Sequence, residues 1–215
     1  MKYILNSCKG THRTVNQDGH LILKNDNISL FLIFDGVSSY KDSNVFIKEY
    51  KKIIKEEFEQ NTNFLFNLED VLYRANLTIS KMNIEGYSTV CLLLFSGLKK
   101  RFVQYMNIGD SRLYHYAETY LEKITDDHNI GDQKNILTKF LGSNQLELTD
   151  FQIKTAPISK HYLLCTDGFY VLMENKLKRY FNIVNFSYLN NVLKALIKEG
   201  KGLNRDDSTF IIVRV

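Results

Sequence analysis

Apolar and polar positions along this chain alternate with two different periods. Over residues 42–58, Phe46, Tyr50, Ile53, Ile54 and Phe58 recur at helical spacing, which predicts a helix with one buried face. A second helix is predicted to begin at Asn67, a residue suited to capping, with Asp70 in the first turn where a carboxylate meets the positive end of the helix dipole. Its stripe is Leu68, Val71, Leu72, Ala75, Ile79 and Met82, and Gly86 lies past its end. Leu189, Val192, Leu193, Leu196 and Ile197 mark a third helix, with Gly200 placed as a C-terminal cap. All three stripes are read as core packing.

Elsewhere the pattern shortens to runs rich in β-branched and aromatic residues at 88–95, 101–108, 112–116 and 120–124. Connectors as short as 96–100 and 109–111 join antiparallel neighbours, whereas a parallel pair needs a crossover of about a dozen residues. An antiparallel meander is therefore expected. Further strands are predicted at 20–24, 28–34, 161–166 and 208–215, with helices inserted in two blocks. That order predicts an α+β fold, a sandwich of antiparallel sheets with helices outside. No repeat, low-complexity tract or linker interrupts it, so residues 1–215 are expected to form a single domain.

Composition narrows the class. A chain of 215 residues that is 44% hydrophobic, with one proline and 11 glycines, is neither collagen-like nor disordered. The longest apolar runs, at 28–34 and 90–95, fall far short of the roughly 18 to 20 residues that span a bilayer. In the N-terminal MKYILNSCKG, Lys2 has only three apolar residues behind it, too few for a secretory signal. A cytoplasmic protein without a membrane partner is expected. Cys8, Cys91 and Cys165 are odd in number and scattered, so neither a disulfide framework nor zinc spacing is present, and the last two read as small buried hydrophobes. The formal net charge of +4 is mild. The densest basic stretch, Lys176, Lys178 and Arg179 followed by Lys194, Lys198 and Lys201, is interrupted by acids and reads as a solvated face. The clustered basic residues interleaved with aromatics that a nucleic-acid binder needs are not found, so no nucleic-acid partner is expected.

The informative chemistry is a repeated junction in which an apolar run ends in Asp-Gly: FLIFDG at 31–36 and YLLCTDG at 162–168. Alone, Asp-Gly is a turn signal. Two such junctions, together with Asp110 in NIGDSRLY and the Asp206 and Asp207 pair in NRDDSTFIIV, put an acid at every one of these strand ends. Carboxylates gathered at the end of a sheet repel one another and raise one another's pKa unless cations neutralise them. Magnesium or manganese accepts such all-oxygen ligand sets. Two ions about 3.5 to 4 Å apart lower the pKa of a water held between them toward neutrality, and the natural substrate of that hydroxide is a phosphate ester. Arg13 in GTHRTVNQD, with Asp18 close behind, is the candidate to hold the phosphoryl oxygens.

The segments RTVNQD, FDGVS, STV, IGDSRLY, DDHN, CTDGF and RDDSTFIIV occur in the order found in the metal-dependent type 2C protein serine/threonine phosphatases, and the chain resembles a compact bacterial-type member of that family from Arg13 to Val213. The resemblance implies a four-layer αββα sandwich, two antiparallel sheets flanked by helices, with a binuclear Mn²⁺ or Mg²⁺ site at one end. By motif, Asp35 would bridge both ions, Gly36 would give its backbone carbonyl, Asp167 and Asp206 would complete one ion's ligands, and Asp18 would orient metal-bound water. Asp110 matches the aspartate that, with the CTDG aspartate, holds a third, weaker ion in bacterial relatives. Asp207 stands where the family often has asparagine and is left out of the ligand set. His128 matches a structural histidine, and His12, His20, His115 and His161 receive no chemistry.

Several positions depart from the family pattern. Gln17 replaces a common glutamate, Ser38 and Ser39 replace glycines, and Val37 occupies the place of a histidine proposed to protonate the leaving group in eukaryotic relatives. Residues 129–135 are all that remains of a longer flap, so an open cleft with weak intrinsic substrate discrimination is expected. The implied activity is hydrolysis of phosphoserine and phosphothreonine in proteins by direct attack of a hydroxide bridging two cations. The partners would be a phosphorylated protein substrate and a cognate serine/threonine kinase, and the chain a monomer. The competing reading is a catalytically silent regulatory module that binds a phosphoprotein or kinase.

Overall fold

The computed structural model describes residues 1–97, 102–131 and 133–215. The expected start of a strand at Arg101, the connector 98–100 before it, and Asp132 within the shortened flap lie outside the described residues.

Strands β1 (Lys2–Cys8), β2 (Gly19–Lys24) and β3 (Ser29–Phe34) precede helices α1 (Ser43–Gln60) and α2 (Leu68–Ser80). Strands β4 (Val90–Ser96), β5 (Phe102–Ile108), β6 (Arg112–Tyr116) and β7 (Leu121–Lys123) follow, then a small β8 (Asn129–Ile130) and β9 (Gln133–Leu137) pair and the short β10 (Lys154–Thr155). Strand β11 (His161–Cys165), helices α3 (Asp167–Glu174), α4 (Leu177–Phe186) and α5 (Leu189–Gly200), and strand β12 (Ser208–Arg214) complete the chain. Two five-stranded antiparallel sheets result, ordered β1-β12-β11-β6-β7 and β10-β5-β4-β3-β2.

The strand sequences explain the layering. A strand with one wet face alternates polar and apolar residues, but β3 (SLFLIF) and β4 (VCLLLFS) are buried along their whole length. Leu30, Leu32 and Phe34 of β3 pack with Phe46, Tyr50 and Ile54 of α1 and with Val71, Leu72 and Ile79 of α2. The intervening Phe31 and Ile33 join Cys91, Leu93 and Phe95 of β4 against Leu113, Tyr162, Leu164, Ile211 and Val213 of the other sheet. On the far side, Leu163, Phe210 and Ile212 pack under Phe169, Met173, Tyr180, Val184, Val192 and Leu196 of α3, α4 and α5. The architecture is the α+β sandwich expected, helices outside two face-to-face sheets, and each large apolar side chain buried between layers stabilises it by about 1.5–3 kcal/mol. Cys91 and Cys165 are buried as expected.

Three expectations are corrected. The meander is broken at Gly109: β4 and β5 pair, as do β6 and β7, but β6 lies in the opposite sheet beside β11. Gly109 has φ +97°, and a Cβ there would sit 2.6 Å from the Thr89 side chain, so only glycine lets the chain cross between sheets so tightly. Asn67 precedes α2 without a side-chain cap hydrogen bond. Gly200 is the last helical residue of α5, and the left-handed residue is Gly202 at φ +74°. Strand β1 and helices α3 and α4 were not expected, because their residues lie outside the patterned windows and α3 (DGFYVLME) is too short for its period to declare itself. No helix among the described residues is long and apolar enough to cross a membrane.

Candidate active site

Five strand ends meet at one end of the sandwich. Asp35 follows β3, Asp18 precedes β2, Asp110 precedes β6, Asp167 follows β11 at the first turn of α3, and Asp206 and Asp207 precede β12. Registers such as Gly19 opposite Phe34, and Cys165 opposite both Arg112 and Phe210, align these ends. Arg13, Asp35, Gly36, Asp110, Asp167 and Asp206 line one cleft of about 380 Å³, with Val37, Ser38, Thr89 and Leu137 completing its wall. Asp18 lies behind it: one carboxylate oxygen accepts a 2.9 Å hydrogen bond from Thr166 Oγ1, and the other, Oδ1, is buried without a partner among the described residues.

Neither Asp-Gly pair is a hairpin turn. Asp35 and Gly36 continue the strand edge, where Gly36 bridges Ser88, and a Cβ on Gly36 would lie 2.5 Å from the Gln17 carbonyl. Gly168 is inside α3, and a Cβ there would lie 2.0 Å from the Asp207 carbonyl. The glycines admit a second backbone at contact distance, which draws the 10–17 segment and the 205–207 segment onto the aspartates.

The Asp35 backbone is fixed by residues that the sequence shows only as members of motifs, without a role. Its N–H donates to Thr89 Oγ1 at 3.2 Å, and its carbonyl accepts from the Thr89 N–H at 2.9 Å and from Ser88 Oγ at 3.0 Å. Thr89 Oγ1 in turn meets Ser111 Oγ at 2.6 Å. Asp207 accepts hydrogen bonds from the Gly10 N–H at 2.9 Å and the Gln17 N–H at 2.7 Å, so it clamps the loop that carries Arg13. The adjacent acids at a strand start were the only sequence signal for that task. His128 fixes the sheet crossing: its N–H donates to the Gly109 carbonyl and its Nδ1 accepts from the Gly109 N–H, both at 3.1 Å. Burial holds the His128 pKa below its usual value, as the neutral accepting ring requires.

Electrostatics are dominated by crowded acids. Burial raises the Asp35 carboxyl far above the ordinary range, and Asp167, Asp18, Asp110 and Asp206 push it further. Asp110 is raised to about 7 by burial, then by Asp167 and Asp127. Burial lifts Asp18 to about 8, against the hydrogen bonds of Thr209 and Thr166 and with added repulsion from Asp207 and Asp167. Asp167 is raised by burial and by Asp206, and a hydrogen bond shared with Asp35 pulls it back. Arg13 answers part of this charge as a fork on Asp206, with Nε to Oδ1 at 2.6 Å and Nη2 to Oδ2 at 2.5 Å. The two side chains placed by motif on the phosphoryl group and on an ion therefore engage each other here.

Among the described residues, no group of three acidic, histidine or cysteine side chains is arranged to hold a metal ion. The donor set still fits a hard divalent cation. It is all oxygen, its carboxyls are driven toward protonation by burial and then by mutual repulsion, and Asp18, outside the cleft lining, keeps a buried oxygen without a partner among the described residues.

Known proteins match this arrangement. The model of the family described as protein phosphatase 2C matches residues 10–205. A putative protein phosphatase of Mycoplasma genitalium is 28% identical over 97% of this chain and 93% of its own length. A serine/threonine phosphatase of Listeria monocytogenes, stp, is 24% identical over 74% of each chain. The crystal structure of the serine/threonine phosphatase Stp1 from Staphylococcus aureus superposes with a TM-score of 0.80 at 23% identity, covering 100% of this chain and 94% of that one, and so shares the fold. The chain belongs to the protein phosphatase 2C family, as a bacterial-type protein phosphatase.

Proposed function

We propose that this phosphatase hydrolyses phosphoserine and phosphothreonine in proteins at the cleft between the sheets, using two Mn²⁺ or Mg²⁺ ions held by Asp35, the Gly36 carbonyl, Asp167 and Asp206. The observation that carries the reading is the convergence of Asp35, Asp110, Asp167, Asp206 and Arg13, from five separate stretches of chain, on one 380 Å³ cleft. Bound there, the cations supply a water acidified toward neutral pH and positive charge facing the phosphoryl oxygens.

The chain's own residues do the rest. Asp35 and Asp167 stay ionised once cations replace protons between them. Asp18, whose free oxygen lies buried behind the cleft, orients the attacking water. Arg13 turns from Asp206 to the phosphoryl oxygens, exchanging one forked pair for another of the same geometry. Catalysis of this kind rests on positioning and charge stabilisation, with no phosphoenzyme required. Asp110 and Asp167 would hold a third cation more weakly. Val37 borders the cleft and offers no proton to the leaving alkoxide.

With its short β8 and β9 pair in place of a long flap, the cleft takes phosphoproteins with little sequence discrimination, and selectivity comes from a partner or from shared location. The chain works as a single-domain cytoplasmic monomer opposite a serine/threonine kinase. Phosphate release from a phosphothreonine peptide, with and without Mn²⁺ and chelator, tests the activity. Mn²⁺-dependent, chelator-sensitive release is expected, and release that ignores chelator, or none, returns the chain to the silent-module reading.

A further inference from the structure

Arg112 is 4% exposed, yet it carries a full charge into the layer between β6 and α3. Its guanidinium uses both edges and a face. Nε and Nη2 fork onto Asp127, with Nη2 to Oδ2 at 2.6 Å and Nε to Oδ1 at 3.0 Å. Nη1 donates to Glu174 Oε1 at 2.7 Å and to Tyr114 Oη at 3.2 Å, while that hydroxyl donates to the same Glu174 oxygen at 2.8 Å. The plane lies 3.6 Å from the centre of the Tyr170 ring. Burying so many charges costs more than an apolar packing of the same volume, so stability alone gives a poor reason for this arrangement.

Of its two carboxylate partners, Glu174 stands on the helix that carries Asp167, and Asp127 on the segment that braces the turn of Asp110. Asp167, Tyr170 and Glu174 occupy positions one, four and eight of α3 and share one helix face, the first and last about 10 Å apart along the axis. Holding Tyr170 and Glu174 therefore sets where the helix presents Asp167. Asp127 immediately precedes His128, whose paired hydrogen bonds hold Gly109 at the sheet crossing, and the next residue is Asp110. The Asn107 side chain adds a 2.7 Å bond to the Asp126 carbonyl in the same segment. Arg112 touches neither Asp110 nor Asp167 through a hydrogen bond, but it is the one group bonded both to the helix of Asp167 and to the segment that braces Asp110, among the described residues.

We propose that Arg112 is a positioning residue that sets the separation of Asp110 and Asp167, and with it the affinity of the cation position between them. This rests on the two-cation reading above. Groups hydrogen-bonded directly to metal ligands change affinity or activity by about 10- to 100-fold when lost, and Arg112, further removed, is expected to act at the lower end of that range.

Glu174 is the handle for the test, because its side chain is 38% exposed and its loss leaves the guanidinium paired to Asp127. Chelator-stripped parent, Glu174→Ala and Glu174→Gln are titrated with Mn²⁺ by calorimetry and assayed on a phosphothreonine peptide. Glu174→Ala is expected to weaken the weakest Mn²⁺ event about tenfold and to lower kcat with KM unchanged, while Glu174→Gln, whose amide oxygen still accepts from Nη1 and Tyr114, restores the parent's behaviour. Should Glu174→Ala fail to fold by circular dichroism, Glu174→Asp, which keeps the charge and withdraws the contact, takes its place with the same expected loss. Parental Mn²⁺ affinity in the alanine variant (or in the aspartate variant where that replaces it), or a glutamine variant as weak as the alanine one, overturns the role of Arg112. A parent that takes up no Mn²⁺ overturns the cation reading itself.

Discussion

At the scale of single residues, the cleft is a place where stability has been given up. Burial raises the carboxyls of Asp35, Asp110 and Asp167, and acidic neighbours push each further, so neutralising Asp35 should relieve the fold while removing the chemistry. Asp35→Asn is expected to abolish Mn²⁺-dependent turnover and to raise the chelator-treated Tm by about 2–8 °C, the equivalent of about 1–2 kcal/mol. A variant with normal turnover, or one with a lowered metal-free Tm, would contradict that account. Arg13→Ala removes the fork on Asp206, and steady-state kinetics on a phosphopeptide should show a KM raised about tenfold or more with a smaller loss in kcat. The aspartates were readable because each ends an apolar run or opens one. Thr89, Ser88, Ser111 and Thr166 were not, since a hydroxyl that holds a backbone group from another strand looks in sequence like any other strand residue. Asp207 was visible, but its clamp on Gly10 and Gln17 depends on contacts across 190 and more residues.

Whole elements divide in the same way. Strands such as β3 and β4 were legible because burial on both faces leaves an unbroken apolar run, and α1, α2 and α5 because a face of fixed period recurs over three or more turns. Sheet membership was not legible. The connector at 109–111 is short in either case, and only the clash a side chain would make with Thr89 tells that Gly109 carries the chain into the other sheet. Helix α3 hid because its eight residues, only five of them apolar, are too few to show a period, and Gly168 reads as a turn until it is seen packed on Asp207. That contact gives a prediction for the element: Gly168→Ala must displace the 206–207 backbone and should destabilise the protein by about 3 kcal/mol or more, measured by urea unfolding. A loss within about 0.5 kcal/mol, the range of an ordinary surface change, would mean the approach is looser than described.

For the molecule as a whole, the crowded acids make stability depend on pH in a direction that cations should reverse. The folded protein keeps protons on Asp18 up to about pH 8 and on Asp110 up to about pH 7, whereas the unfolded chain releases them near the ordinary carboxyl value of 3.8. Raised folded pKa values mean stability that is complete at low pH and is lost as pH rises through that window. The chelator-treated protein should therefore melt at progressively lower temperature from pH 5 to 8.5, and saturating Mn²⁺ should flatten or invert the slope. A metal-free profile that rises with pH would show that burial and neighbouring charge do not raise these carboxyls. The central claim, that distant acids gather to hold cations at the sheet ends, is tested most directly by anomalous diffraction from crystals soaked in Mn²⁺. The account predicts two strong peaks in the cleft, within about 2.0–2.4 Å of oxygens of Asp35, Gly36, Asp167 and Asp206, with Arg13 released from Asp206. Anomalous density elsewhere or absent, with the Arg13 fork intact at saturating Mn²⁺, would contradict it.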